Sequence, residues 1–494
     1  MGMPNWWDER RLGLFVQASL AAVPAWAPIG MRADGYRTHL GDTDPGAGQT
    51  TQPLVEVLAH HRDRWGHIER YDDFVPLLRF NDFDAEAWAR LAVDAGAGYA
   101  AVVARDQDGW VWWDAPTTTR TMVTNGPHRN VIADFASACE RNGLSMGAYY
   151  AATGVGDTGG DPSLALHDVV DLVDRFGIEF LRFDAQGTGG PSDQMLAQIL
   201  AAQPDLVVDI DAARSPVTAN ERAATVRTHA GRTPPDIVEE PWELRRDLGT
   251  GLGHNRAERA EHLLSAHDIV ALLTEVVAKG GHLLLSVGAT ADGAIPDAQA
   301  APLRTAGEWI RRHRRLIDAG RPWTSWGDDD TRFIEVDGVL HAVDVTGRGH
   351  FAGLTSQRYR VDSVDVEGSP IPFRQDDEGL HLDLHRLILS TDHDPERIDI
   401  SVYRLALSEP ERPAGLFDTS PRQPIELGAL LRNAATGDIV QLGDGTYLGP
   451  VAIPPGVTIR GLGGSRTVLD PGQEPVSIGA NARLEHLRVS RSDR

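Results

Sequence analysis

The sequence predicts an α/β protein: a (β/α)8 TIM-like barrel, then a small antiparallel β-sandwich, then a short parallel β-helix-like C-terminal segment. The first observation behind this is that helical and strand patterns alternate from the N-terminus to about residue 320, the signature of a parallel sheet with crossover helices. The second is a change of texture beyond Trp323 to short strand-like runs, TRFIEV, VLHAVDV, GHFAGL and ISVYRLAL, separated by Gly, Asp and Pro turns. The third is a series of closely spaced β-runs joined by glycine turns in GDIVQLGDGTYLGPVAIPPGVTIRGLGGSRTVLDP. These set the barrel at residues 1–322, the sandwich at 323–407, a proline- and serine-rich linker at 408–424 and the partial β-helix-like segment at 425–494.

The elements follow in order. Arg10-Arg11 before LGLFVQASLAAVPAWA has the look of a twin-arginine export signal, but a buried barrel strand is also a short apolar run, and the barrel needs its first strand here. We read it as the strand, and the chain as cytoplasmic rather than exported. The clearest unit opens at Asp84, a good N-cap flanked by the staple pair Phe83 and Trp88. Trp88, Leu91, Ala92 and Ala95 give a helical stripe, Gly96 stops it, and GYAAVVA follows as a buried strand. Val131, Ile132 and Phe135 mark a helix before Gly143 and LSMGAYY; Asp193 to Ala202 is a helix before DLVVDID. Ile269, Leu272, Leu273 and Val276 mark another, stopped by Gly280-Gly281 before HLLLSVG. A closed barrel accounts for this many repeats better than an open doubly wound sheet, and no glycine-rich phosphate loop follows any strand.

Bulk properties narrow the function. A chain of 494 residues is expected to form two or three domains. The net charge of −24 opposes nucleic acid and anionic membranes, so neither is an expected partner, and a neutral or cationic ligand fits better. The single cysteine, Cys139, excludes an intrachain disulfide and reads as a core residue. No run is long and apolar enough to span a membrane. The histidines, among them His128, His229, His254 and His282, have no metal-ligand spacing; no metal and no cofactor are expected. The oligomeric state stays open.

Chemistry in such a barrel is carried by side chains at the carboxyl ends of the strands. In DLVDRFGIEFLRFD an amphipathic helix and a glycine stop lead into a strand that ends on Asp184, which makes Asp184 the first candidate for a catalytic nucleophile. Trp110, Trp112, Trp113, Tyr149 and Tyr150 lie at or near strand ends, where about half should face the mouth and offer a ring face to a ligand.

These residues stand in a recognisable order. LGLFVQASLAAVPAW (12–26), RFNDFDAEAWARLAVDAGAGY (79–99), DGWVWWDAPTT (108–118), GLSMGAYY (143–150), FLRFDA (180–185), PWELRRDLGTGLGHN (241–255) and VVAKGGHLLLSVGATADGAIP (276–296) together resemble the family 29 glycoside hydrolases, the α-L-fucosidases. The last segment looks like the first coils of a right-handed parallel β-helix of the pectate-lyase type. The fucosidase resemblance implies a retaining exo-glycosidase acting on a carbohydrate. One carboxylate attacks the anomeric carbon while a second, about 5–5.5 Å away, acts first as acid and then as base. Asp184 falls at the nucleophile position, and Arg214 falls where an arginine contacts that nucleophile and holds it ionised.

The departures from the family pattern fall in the sugar subsite. Gln17 replaces a histidine, with Ala18 and Ser19 after it; Asp106 and Gln107 replace two histidines; Arg182 replaces a tryptophan; Leu252 replaces an aromatic wall. The acid/base glutamate of one major subgroup aligns with Ala230, which leaves Glu239, Glu240, Asp236 or Asp106 as possible substitutes, Glu239 and Asp106 foremost, while Glu243 reads as structural. The expected substrate-binding residues are therefore Gln17, Asp106, Gln107, Trp113, Tyr149, Arg214 and Leu252. Two readings follow: a fucosidase-type hydrolase with an altered sugar subsite, or a catalytically impaired member that binds glycan or serves as a scaffold.

Overall fold

The computed structural model describes residues 3–41, 54–151, 162–183, 193–203, 205–211, 225–384, 398–408 and, in short pieces, much of 425–489. Eight strands close into one parallel barrel: β1 (Leu12–Gln17), β2 (Tyr99–Arg105), β3 (Ser145–Tyr150), β4 (Phe180–Phe183), β5 (Val207–Asp211), β6 (Thr225–Ala230), β7 (Trp242–Asp247) and β8 (His282–Gly288), which pairs back onto β1. The run after Arg10-Arg11 is therefore the first barrel strand.

Local chemistry sets the units. Asp84 caps the helix Ala85–Asp94 by accepting from the Glu86 and Ala87 amides, and the Phe83 and Trp88 rings lie 4.8 Å apart beside it. Gly96, at φ +80, turns the chain out of that helix in a conformation that costs other residues energy. Asn130 caps Val131–Arg141, and Ser265 with Asp268 forms a capping box at the start of Ala266–Ala278. The last helix buries Ile269, Val270, Leu273, Val276 and Val277.

Alternation along each strand sends every second side chain into the barrel. Tyr99 on β2 points inward so closely that a Cβ at Gly13 on β1 would lie 2.3 Å from its ring. At the end where the strands begin, the short helix Asn5–Asp8 inserts Trp7, whose ring stacks 4.1 Å from His282 and lies 5.6 Å from both Phe180 and Tyr99. The His282 ring is also bonded through Nε2 to the Trp7 carbonyl at 2.9 Å.

Beyond the barrel an antiparallel sheet of six strands runs, from one edge, Arg321–Gly327, Thr331–Val336, Val339–Asp344, Ser401–Ser408, Arg360–Val366 and Ser369–Pro370. A three-stranded sheet has the order His350–Phe351, Gly379–Leu382, Phe373–Asp376. The Lys279 ammonium lies 3.9 Å from the Trp326 ring centre and 2.7 Å from Glu275, and the Trp309 indole donates to the Ile400 carbonyl at 3.0 Å, so barrel and sheet are fastened by polar contacts as well as apolar ones.

By contacts the chain groups into two units, Met1–Ala352 with Ser363–Gln375 and Gly379–Ala406, and Gly353–Asp362 with Asp376–Glu378 and Leu407–Arg494. In the second unit the described strands are short and parallel. Ile439–Gln441, Thr458–Arg460 and Arg483–Glu485 form one sheet; Ile425–Glu426, Gly445–Leu448, Thr467–Asp470 and Arg488–Val489 a second; Ala452–Ile453 and Ser477–Ile478 a third. The chain visits these sheets in turn, around a core of Leu442, Tyr447, Val457, Ile459 and Leu469. Residues 409–424, the expected linker, lie outside the described residues. Among the described residues no helix is long and apolar enough to cross a membrane.

Candidate active site

The carboxyl ends of β1 to β3 gather a compact polar group. Gln17 closes β1, 3% exposed, and its Nε2 donates to Asp106 just after β2 at 3.3 Å. Asp106 Oδ1 also accepts the Gln107 amide at 2.8 Å. Tyr149, near the end of β3, faces the same space with its ring 6.0 Å from Phe15. Asp108 accepts from the Tyr71 hydroxyl at 3.0 Å and from the Trp110 amide at 2.8 Å.

Burial drives the electrostatics here. It pushes the Asp106 carboxyl well above the usual carboxylate range, and the neighbouring carboxylates Asp108 and Asp34 push it further. Asp108 is raised too, again mainly by burial, against the pull of Arg120. Asp34 is held by the fork of Arg32, Nε to Oδ1 at 3.0 Å and Nη2 to Oδ2 at 2.5 Å. The amides of Ala33 and Asp34 donate to the Leu252 carbonyl at 2.9 and 3.3 Å, so the loop after β7 fixes the loop after β1.

Deeper in the barrel lies a second network. Arg182 on β4 pairs with Asp209 on β5, donates to Thr228 on β6 at 2.9 Å, and stands 3.8 Å from Glu243 on β7. Glu243 accepts from the Tyr99 hydroxyl on β2 at 2.5 Å. Burial raises the Glu243 carboxyl well above its ordinary range, the nearby Asp209 adds to this, and Arg182 opposes it. Above Glu243 on the same face of β7 come Arg245 and Asp247.

The structure sorts the expected site residues. Gln17, Asp106, Gln107 and Tyr149 come together at the mouth, and Leu252 lies beside them through Asp34. Trp113 does not face the mouth. After β2 the chain doubles back, with the Trp112 amide on the Ala104 carbonyl at 2.9 Å, which turns the Trp113 indole outward to Asp171 on the helix Pro162–Phe176 at 3.1 Å. Tyr150 likewise points outward and donates to Asp168 at 3.1 Å, and Trp112 packs on Phe80 at 5.1 Å. Glu239 is exposed and lies just before β7 begins. The adjacent Val238 amide binds the Lys279 carbonyl, which places Glu239 at the barrel end opposite the mouth, too far to serve as acid/base. Asp236 and Glu240 share that loop, and Glu240 pairs with Arg227 at 3.4 Å. Asp184 and Arg214 lie outside the described residues, as does the side chain of Ala230.

Sequence reasoning passed over Arg32, Asp34, Asp209, Arg245 and Asp247. The signal for the last two was available: in WELRRD the charges at Glu243, Arg245 and Asp247 recur every second residue, which in a barrel strand places all three inside.

A closed parallel barrel with carboxyl, amide, guanidinium and phenol groups converging at the carboxyl ends of its strands has the arrangement of a barrel enzyme. The chain belongs to the alpha-L-fucosidase family, whose model matches residues 1–315. It is 24% identical over 344 residues to the alpha-L-fucosidase of Dictyostelium discoideum, covering 65% of this chain and 72% of that one. It is 22% identical over 360 residues to the human plasma alpha-L-fucosidase, covering 67% and 72%. Among solved structures, the Thermotoga maritima alpha-fucosidase superposes with a TM-score of 0.67 at 24% identity, over 82% of this chain and 97% of that one, a likeness of fold.

Proposed function

We propose that the chain is a retaining exo-glycoside hydrolase acting on α-L-fucosides or a closely related sugar, with Asp184 as nucleophile, Arg214 holding it ionised, and Asp106 as the acid/base. The observation that carries this reading is the raised Asp106 carboxyl beside Gln17 and Tyr149. A general acid must hold its proton at working pH, and burial together with two neighbouring carboxylates supports that at Asp106. The roles of Asp184 and Arg214 rest on their positions in the family's sequence pattern. Gln17 and Gln107, in place of the family's imidazoles, Leu252, in place of its aromatic wall, and Tyr149 beside them supply neutral hydrogen-bonding and apolar contacts to the bound ring.

One observation favours a second reading, glycan binding without turnover: Ala230, at the mouth end of β6, cannot transfer a proton. A panel of aryl α-glycosides separates the two, because a good leaving group needs little acid assistance. Turnover by the wild type that disappears in Asp184→Gly supports hydrolysis. No product from any aryl glycoside, with sugar binding retained, supports the second reading.

A further inference from the structure

The wall of the mouth formed by β7 and β8 holds polar groups that the fold does not use. The Arg245 side chain makes no hydrogen bond or ion pair among the described residues, and its Nε is buried without a partner there. Asp247, two residues further along the same face, has Oδ1 buried and unpartnered. Ser286 on β8 stands directly across from Asp247 in the strand register, is 3% exposed, and its Oγ is also unpartnered. Three such atoms side by side run against the rule that buried polar groups are paired, since each costs about 1–3 kcal/mol. Nearby in the same barrel Arg182 is paired with Asp209 and donates to Thr228, which in turn donates to Asp209.

Arg245 and Asp247 are each only half-buried as whole residues. Burial and the nearby Arg182 lower the Arg245 guanidinium, with Asp247 opposing, although no ion pair joins the two side chains. A donor fork beside an acceptor suits neither an anion, which Asp247 repels, nor a cation, which Arg245 repels. It matches two adjacent hydroxyl groups, one accepting from the guanidinium and one donating to the carboxylate.

We propose that Arg245, Asp247 and Ser286 form a subsite for a vicinal diol of a neutral sugar. The inference rests on the glycosidase reading for its substrate class, and its residues stand on β7 and β8, whereas Gln17, Asp106 and Tyr149 stand on or just after β1 to β3. The diol belongs either to the sugar whose bond is cleaved or to the sugar that leaves, and the two sources separate experimentally.

The test uses the full chain with Arg245→Gln and Ser286→Ala. KM and kcat are measured on an aryl α-L-fucoside and on a fucosylated disaccharide, and binding of free fucose and of the leaving sugar is followed by calorimetry. Arg245→Gln is expected to raise KM and the dissociation constant about tenfold, with a smaller change in kcat. Loss on both substrates assigns the diol to the cleaved sugar; loss on the disaccharide alone assigns it to the leaving sugar. The melting temperature should hold or rise, because a structural role would lower it while removal of an unpaired buried nitrogen does not. Unchanged KM on both substrates, a lowered melting temperature with proportional loss of kcat, or no sugar binding by the wild type overturns the subsite. Sugar binding that weakens in Arg245→Gln, in a protein that turns over no glycoside, upholds the subsite and defeats the hydrolase reading.

Discussion

The Tyr99 hydroxyl on β2 donates to Glu243 on β7 across the interior of the barrel, at 2.5 Å, and Glu243 in turn lies 3.8 Å from Arg182 on β4. Three strands far apart in sequence are thus tied at one carboxyl group, below the mouth where sugar is expected.

Because burial raises the Glu243 carboxyl well above its ordinary range, the fold favours its neutral form more than water does. Glu243→Gln should stay within about 1 kcal/mol of the wild type in urea unfolding, while Glu243→Ala, which leaves Tyr99 and Arg182 without their partner, should cost roughly 3 kcal/mol or more. Equal losses in the two variants would contradict a neutral Glu243.

Arg182 is buried and paired with Asp209, which burial leaves with no route to water. Arg182→Met should cost roughly 3–5 kcal/mol, because it strands a carboxylate in the barrel interior, and adding Asp209→Leu should restore part of that loss. Thermal melts of the two single variants and the double variant measure the coupling directly.

Asp106 predicts the alkaline side of the activity profile. A raised carboxyl keeps its proton below its shifted value and gives it up above, so kcat/KM should fall as pH climbs through that value. Asp106→Asn should remove this limb and slow unactivated glycosides by roughly 10²–10⁴-fold, with a smaller loss on aryl substrates. A limb that survives the substitution assigns the proton to another group.

Two histidines predict acid sensitivity. Burial, helped by Arg256, lowers His254 from 6.5 to about 4, and burial, helped by Arg11, holds His282 well below 6.5. The folded chain keeps both rings neutral while the unfolded chain protonates them below about 6.5, so unfolding takes up protons there. Their contribution to stability is complete above 6.5 and is lost as pH falls from 6.5 toward about 4. Melting temperatures measured from pH 8 to pH 4 should be level at first and then decline, and a flat profile would contradict the buried neutral rings.

Much of the barrel was legible because a strand covered on both faces reads as an unbroken apolar run, as in GYAAVVA and HLLLSVG, and because Asp84 and Gly96 punctuate a helix chemically. β6 was not, since TVRTHA buries Val226 and Thr228 among polar neighbours and has no apolar run. Tyr149 lies near the end of β3, as strand-end reasoning expects, and Asp106, singled out by the family resemblance, lies just after β2. Trp113 was not, because alternation holds only while a strand continues, and here the chain folds back along β2 after Arg105. Pairings such as Arg182 with Asp209 depend on which strands are neighbours, and closure of the barrel decides that.

Trp7 seated against His282, Phe180 and Tyr99 makes the barrel a vessel with one opening. Nothing can be threaded through it. Whatever reaches its interior must enter and leave by the end where the strands finish.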